Sequence, residues 1–459
     1  MAERFEIVEK ALLQMLEEKK YTTLRDILVT MNPNDIAELF WGLEDCQIPL
    51  MFRLLPKEQA AEVFVEMETD AQELLIRSFS DNELKEVLDE LYVDDAADLV
   101  EEMPASVVKR ILRQADPEMR NTINQLLRYP EDSAGSLMTT EYVSLRPQMT
   151  VGESILRIRR QGFDKETIYT CYVLSPDRKL IGLVTVKDLL LAEDDETLIE
   201  DIMLTNLIFV NTMTDKEEVA RMLTRYSFLA LPVVDNEGRM VGIVTFDDAM
   251  DVIEEETTED MELMSGMMPS EKPYLRSSPF ELFKNRIPWL LLMMVSATFT
   301  GVIMTAFEDA LAAQIALSAF IPMLMGTGGN SGSQSSVTVI RGLSLGELRS
   351  ADAFSILWKE VRTAVLCGVA LAAACFVKIW LVDRLLFGNV HITLMVDLVV
   401  CLALAVTVIL AKVVGCLLPL GAKALKLDPA VMASPFITTI VDALSLLVYF
   451  LFAKALLHV

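Results

Sequence analysis

The sequence predicts a mixed fold: an acidic α-helical superhelix, then an α/β body, then a five-span α-helical membrane domain. Three observations predict it. Formal charge is −27, but residues 1–286 carry 58 acidic and 30 basic side chains, while residues 287–459 carry 9 and 10. Long uncharged apolar runs fall in that second, nearly neutral part, as expected of chain that sits in hydrocarbon. Within the first part, a strand–turn–strand–helix pattern recurs with a shift of 60 residues. The implied divisions are 1–132 (helical), 136–253 (the repeat, 136–202 and 203–253), 254–283 (a connecting helix) and 284–459 (membrane).

The helical region, residues 20–130, reads as short amphipathic helices in succession. Starts are marked at Asn34-Asp35, Pro56-Lys57-Glu58, Ser80-Asp81-Asn82, Asp94-Asp95 and Asp116-Pro117. Apolar faces follow them, as in Ile36, Leu39, Phe40 and Leu43. So acidic a body offers nucleic-acid phosphates nothing to bind, but it gathers divalent cations. The opening MAERFEIVEK is charged and reads as no signal peptide. The six cysteines include no CxxC pair, and with only two histidines, His391 and His458, transition-metal chemistry through imidazole is not expected. No nucleophile triad or phosphate loop occurs, so an enzyme is not expected.

The repeat matches CYVLSPDRKLIGLVTVKDLL, from Cys171, with LPVVDNEGRMVGIVTFDDAM, from Leu231. Alternating apolar residues flank a turn in both copies, and Gly182 and Gly242 occupy equivalent places. Thr185-x-x-Asp188 and Thr245-x-x-Asp248 then open helices, which ordinary N-capping would explain. The pair resembles tandem cystathionine-β-synthase (CBS) modules, in which a Thr-x-x-Asp can hold an adenosine ribose. The resemblance makes ATP a candidate ligand at Thr185, Asp188, Thr245 and Asp248. The acidic, Met-rich Glu254–Gly266 leads from this pair toward the membrane as a coupling helix.

Five spans can be drawn: Ile287–Phe307, Ala310–Ile340, Thr363–Val382, Leu394–Leu420 and Pro429–Ala453. Basic residues (Lys284 and Arg286; Arg341, Arg349, Lys359 and Arg362; Lys423 and Lys426) and the acidic pair Glu308-Asp309 alternate between them. That pattern places the N-terminal body in the cytoplasm and the C-terminus outside the cell membrane. The second span is broken by a loop-like GTGGNSGSQ, Gly326 to Gln334. Gly328, Gly329, Asn330 and Gln334 are candidate pore-lining groups there; close helix packing is the alternative. Asp442 is the single acid of the fifth span. An acid at that depth costs about 2.5–3.5 kcal/mol on insertion scales, so it marks a place where a cation is held or passed. With Thr438 and Ser434 it makes a polar stripe at i, i+4, i+8. A neutral Asp bonded to a neighbouring helix would be the structural alternative.

This order of domains, with Pro322, Gly326–Gln334, Asp428-Pro429-Ala430 and Pro435-x-x-Thr438-Thr439-x-x-Asp442, resembles the MgtE-type magnesium channels over nearly the whole chain. The resemblance implies a homodimer whose fifth spans line the pore. Asp442 would bind the ion and Asp428 would sit at the cytoplasmic mouth. It also implies that cytosolic Mg²⁺ closes the pore by bridging Glu62, Asp94 and Asp98 to Asp247, Asp248 and Asp251, then to Glu256 and Glu259. Ser333, Ser434 and Ser445 depart from the family's usual Asn, Gly and Gly but stay small. Two other readings share these features: a CBS-regulated carrier for another cation or solute, and a membrane-anchored nucleotide sensor that moves nothing.

Overall fold

The starts marked in the acidic region are helix N-termini in the structure, a computed structural model. It describes residues 2–457 apart from 271–273, 275–276, 309–311, 313, 387–392 and 433. Ten helices, α1–α10, run from Ala2–Glu17 to Pro117–Leu126. Helix α3 (Pro33–Trp41) is capped by Asn32, α7 (Asp81–Leu88) by a reciprocal Ser80–Glu83 capping box, and α10 by Asp116. Each cap satisfies backbone N–H groups that a short helix leaves orphaned. The faces opposite the charges close one core, in which Leu24, Leu28, Ile36, Phe40, Phe64, Leu75 and Ile76 are almost fully buried.

The repeat folds as two three-stranded sheets, β1-β2-β3 (Tyr142–Leu145, Thr167–Leu174, Leu180–Thr185) and β4-β5-β6 (Val210–Asn211, Ala230–Val234, Met240–Thr245). In both, the first strand pairs parallel with the second and the second antiparallel with the third. The registers repeat with the sequence: Val173 lies opposite Gly182, and Val233 opposite Gly242. A Cβ at Gly182 would stand 2.5 Å from Met203 Sδ, and one at Gly242 would stand 2.6 Å from the Thr139 carbonyl. Each glycine therefore admits a crossing segment, which makes the bridges Leu183–Leu204 and Thr139–Ile243. Tyr172, Ala230, Met240 and Ile243 join the two sheets in one buried cluster. Helices α11 (Val151–Gln161), α12 (Val186–Leu191), α13 (Ile199–Ile202) and α14 (Lys216–Tyr226) complete the two modules.

The described residues divide into two units, Met1–Ile253 and Glu254–Val459. The connecting helix does not follow the expected 254–283. Helix α15 runs Phe246–Met264, so it begins within the second repeat and ends well before the first apolar helix.

The second unit contains α16 (Pro279–Ala306), α17 (Ile321–Ser344), α18 (Ala353–Lys378), α19 (Leu394–Ala424) and α20 (Ser434–Leu457). Among the described residues, four helical stretches are long and apolar enough to cross a membrane: 279–306, 353–384, 394–424 and 430–457. The five expected spans thus become four on apolarity. The 24 residues of α17 are enough in length, but their Gly and Ser content makes them less apolar. The loop expected at Gly326–Gln334 is also corrected, since α17 runs through it as unbroken α-helix. Its glycines are packing positions. A Cβ at Gly328 would stand 2.8 Å from Ser445 Oγ and from Thr407 Cγ2, and one at Gly332 would stand 2.7 Å from Ile437 Cγ2. Small residues let the backbones of α17, α19 and α20 meet, as helix association without a hydrophobic driving force requires.

The tightest approach is at Gly415, where a Cβ would overlap the Gly332 carbonyl oxygen. We predict that Gly415→Ala forces α17 and α19 apart at a cost of about 1–3 kcal/mol. A thermal midpoint of the detergent-solubilised protein equal to wild type would contradict this.

Candidate metal sites

Among the described residues, one group of three carboxylates converges closely enough to share an ion. An oxygen from each of Asp94, Glu141 and Glu166 lies within 4.8 Å of the others. Asp94 stands in the first turn of α8 (Val93–Glu102), where acids suit the positive helix end. Glu141 directly precedes β1 and Glu166 directly precedes β2. Parallel pairing of those strands, with Tyr142 opposite Thr167, sets the two acids side by side. The Glu166 N–H donates to the Glu141 carbonyl at 3.0 Å, which fixes that placement. The Val93 N–H donates to Glu141 Oε2 at 3.4 Å and ties α8 to the same point.

Two oxygens here are buried without a hydrogen-bond partner, Asp94 Oδ1 and Glu166 Oε2. Asp94 is only 8% exposed. A buried carboxylate oxygen whose lone pairs meet no donor is costly, and it lowers that cost by holding a proton or a cation. The surrounding charges push the same way. Burial, then Asp95, Asp248, Glu166 and Glu141, raise Asp94 well above the usual carboxylate range. Burial and then Asp248 raise Asp95 to about 7 and Glu166 to about 8. Burial also raises Asp248, to about 6, although its bond from Thr245 opposes the shift. Burial and then Asp248 raise Asp98 to about 7 as well, although its side chain is the more open to water and borders the cluster. Carboxylates alone are the donor set of a hard divalent cation such as Mg²⁺.

Of the expected regulatory residues, Asp94, Asp98 and Asp248 meet in or beside this cluster. Asp247 and Asp251 act on Glu66, whose carboxyl is raised by burial and then by Asp251. Glu62, the expected partner, is exposed one turn earlier on the same helix, Lys57–Val65 and its C-cap. Glu256 and Glu259 lie on α15 in the second unit. Glu141, Glu166, Asp95 and Glu66 are the residues that the sequence reading missed. The signal was available for two of them, since an acid directly before each of two parallel-paired strands must meet its counterpart.

Both Thr-x-x-Asp pairs cap helices. Asp188 accepts from the Thr185 hydroxyl at 2.6 Å and from the Thr185 N–H at 3.1 Å, while Thr185 Oγ1 accepts from the Asp188 N–H. Thr245 likewise donates to Asp248.

In the second unit, Asp442 is half-buried on α20, and its carboxylate has no hydrogen bond or ion pair among the described residues. The alternative of a neutral Asp bonded to a neighbouring helix is therefore not what this geometry contains. Thr438, one turn earlier, donates to the Pro435 carbonyl at 3.0 Å, and Thr439 donates to the same oxygen at 3.1 Å. Gly329 packs against Thr438, at 3.1 Å from a built Cβ to Thr438 Cγ2. Gly328 and Gly329 are buried, whereas Asn330 and Gln334, four residues apart, lie on the exposed face of α17. The Ser434 side chain lies outside the described residues. Asp428 is exposed and accepts from the Ala430 N–H at 2.8 Å, opening a short 3₁₀ turn. By contrast Asp397, buried in α19, has a partner: Arg384 Nη2 lies 3.8 Å away.

Comparison with known proteins places these features together. Residues 321–452 match a divalent cation transporter family model, 31–132 match the MgtE intracellular N domain, and 134–195 and 199–255 match the CBS domain. The magnesium transporter MgtE of Thermus thermophilus is 36% identical over 452 residues, 98% of each chain. That of Bacillus subtilis is 32% identical over 444 residues, 97% of this chain and 96% of the other. A crystal structure of the cytosolic domain of the Mg²⁺ channel MgtE in complex with ATP superposes with a TM-score of 0.51 at 40% identity, covering 53% of this chain and 99% of that one. Near-complete coverage of both chains at that identity means that this chain belongs to the MgtE family.

Proposed function

We propose that this chain carries Mg²⁺ across the cell membrane as a homodimer, and that cytosolic Mg²⁺ closes it. Five helices, α16–α20, would span the bilayer, with the acidic unit in the cytoplasm and the C-terminus outside. The relatives are named as magnesium transporters, not enzymes, which supports the transported ion. Asp442 from each copy would hold the ion at the dimer axis, with Thr438 oxygens and backbone carbonyls holding the waters that Mg²⁺ retains. Few direct ligands also let the ion leave. Asp428 would meet the ion at the cytoplasmic end.

One observation carries the gate: Asp94, Glu141 and Glu166 converge with two buried, unpartnered oxygens. Asp94 comes from the helical domain, and the other two come from the first CBS module. At low Mg²⁺ their repulsion favours separation of the two domains, and a bound cation draws them together. ATP is a further ligand of this reading, because a relative's cytosolic domain was crystallised with it. Asp188 and Asp248 would then contact its ribose with carboxylate oxygens not committed to capping.

The test is Mg²⁺ entry into proteoliposomes with internal Mg²⁺ at micromolar and then at about 10 mM, a range across which weak carboxylate sites fill. Entry at low and not at high internal Mg²⁺ supports both pore and gate. Entry that requires a co-ion gradient would instead favour a coupled carrier.

A further inference from the structure

We propose that the first CBS module carries a second small-molecule site, a basic cleft that takes a phosphate-bearing anion, apart from both Thr-x-x-Asp loops. The cleft has a volume of about 500 Å³, within the ordinary range of small-molecule sites, roughly 300–1,000 Å³. Arg146, Arg157, Arg178 and Lys165 line it, against one acid, Asp164. None of Thr185, Asp188, Thr245 and Asp248 is in its wall.

The placement follows from the fold. Arg146 directly follows β1, Arg178 sits in the turn between β2 and β3, and Arg157 projects from α11. Arg178 has a φ of +62°, a turn conformation that side chains bear at some cost. Charge makes the cleft unusual for this molecule. Residues 146–179 carry seven basic and four acidic side chains, inside a region that holds 58 acids and 30 bases overall.

The guanidinium groups are available. Among the described residues, Arg146, Arg157 and Arg178 have no carboxylate partner; Arg157 bonds the Ser144 hydroxyl at 3.3 Å. Arg157 Nε is buried with no hydrogen-bond acceptor at all. A buried N–H without an acceptor is costly, and an oxygen placed in the cleft would satisfy it. Planar guanidinium groups converging from three elements suit phosphate oxygens, which they bind through paired N–H donors. The wall offers little apolar surface beyond Tyr142, Leu145, Leu174 and Pro176, so charge rather than burial would supply the affinity.

Two sources share this chemistry, a free polyphosphate and the phosphate tail of a nucleotide. Titration calorimetry of the full-length protein in detergent would use inorganic pyrophosphate and ATP as separate probes. At least one probe should bind, and the double variant Arg146→Gln/Arg178→Gln, both at exposed positions, should weaken it at least tenfold. Asp188→Ala/Asp248→Ala should leave pyrophosphate binding within twofold, since that probe has no ribose for the Thr-x-x-Asp loops to hold. Pyrophosphate binding points to a free polyphosphate, and binding of ATP alone points to a nucleotide. Arg157→Gln, checked for an unchanged thermal midpoint, provides a second loss variant. The proposal is overturned if neither probe binds, if the arginine variants bind as wild type does, or if the aspartate variants alone lose binding.

Discussion

Asp442→Ala is expected to reduce Mg²⁺ entry into proteoliposomes at least a hundredfold, to the level of empty vesicles. Asp442 is half-buried on an apolar helix, and its carboxylate has no protein partner among the described residues. A Mg²⁺ ion crossing the bilayer leaves bulk water while keeping most of its own hydration shell, and here the carboxylate supplies the negative charge that balances it. A factor of a hundred corresponds to about 2.7 kcal/mol, close to the insertion cost that such an acid carries at the bilayer centre, about 2.5–3.5 kcal/mol. Asp442→Asn should fail almost as fully, because it keeps size and hydrogen-bonding capacity but not charge. Thr438→Val should cost less, since the Thr438 hydroxyl is bonded to the Pro435 carbonyl. Fluorescence of an entrapped Mg²⁺ indicator measures all three, with protein incorporation checked in parallel. Wild-type entry in Asp442→Ala would remove this residue from the conduction path.

Asp94→Asn and Glu166→Gln should each raise the internal Mg²⁺ needed for half-closure by about tenfold, equivalent to about 1.4 kcal/mol. Each removes one charge from a three-carboxylate site and leaves a neutral group of equal size. Protons should act on the same site. Burial raises Asp95 and Glu166 to about 7 and 8 and Asp248 to about 6, whereas unfolded carboxyls titrate near 4. A raised folded value means that the folded state binds more protons. The resulting stability is complete below about pH 4 and is lost as pH rises through roughly 6 to 8. In chelator, the thermal midpoint of the full-length protein should therefore fall between pH 6 and pH 8. Added Mg²⁺ should restore it more at pH 8, where the ligands are ionised, and half-saturation should need more Mg²⁺ at pH 6. A midpoint that is equally insensitive to pH with and without Mg²⁺ would exclude the cluster as a cation site.

The parts legible in the sequence are those set by local patterning. Ser80 and Asp116 announced their helices because a capping side chain acts within three residues. The repeat announced its two sheets because Gly182 and Gly242 recur at the same register opposite Val173 and Val233. The glycine-rich Gly326–Gln334 misled for the opposite reason. Its residues are poor helix formers in isolation, and tertiary packing overrides that preference. Gly328 and Gly332 fit against Ser445, Thr407 and Ile437, where larger residues would clash.

Sequence alone determined the partition of charge, the tandem repeat, the apolar helices and the exceptional acid Asp442, because each is a property of residues near one another in the chain. Only the tertiary structure decided which acids meet. Asp94, Glu141 and Glu166 are separated by dozens of residues and become neighbours through a parallel strand pair and one helix N-terminus. The family resemblance named Glu62; the fold brings Glu66, one turn on, near Asp251 as well. Charge counts show that a body is acidic, but long-range strand pairing and helix packing decide where that charge converges on a point.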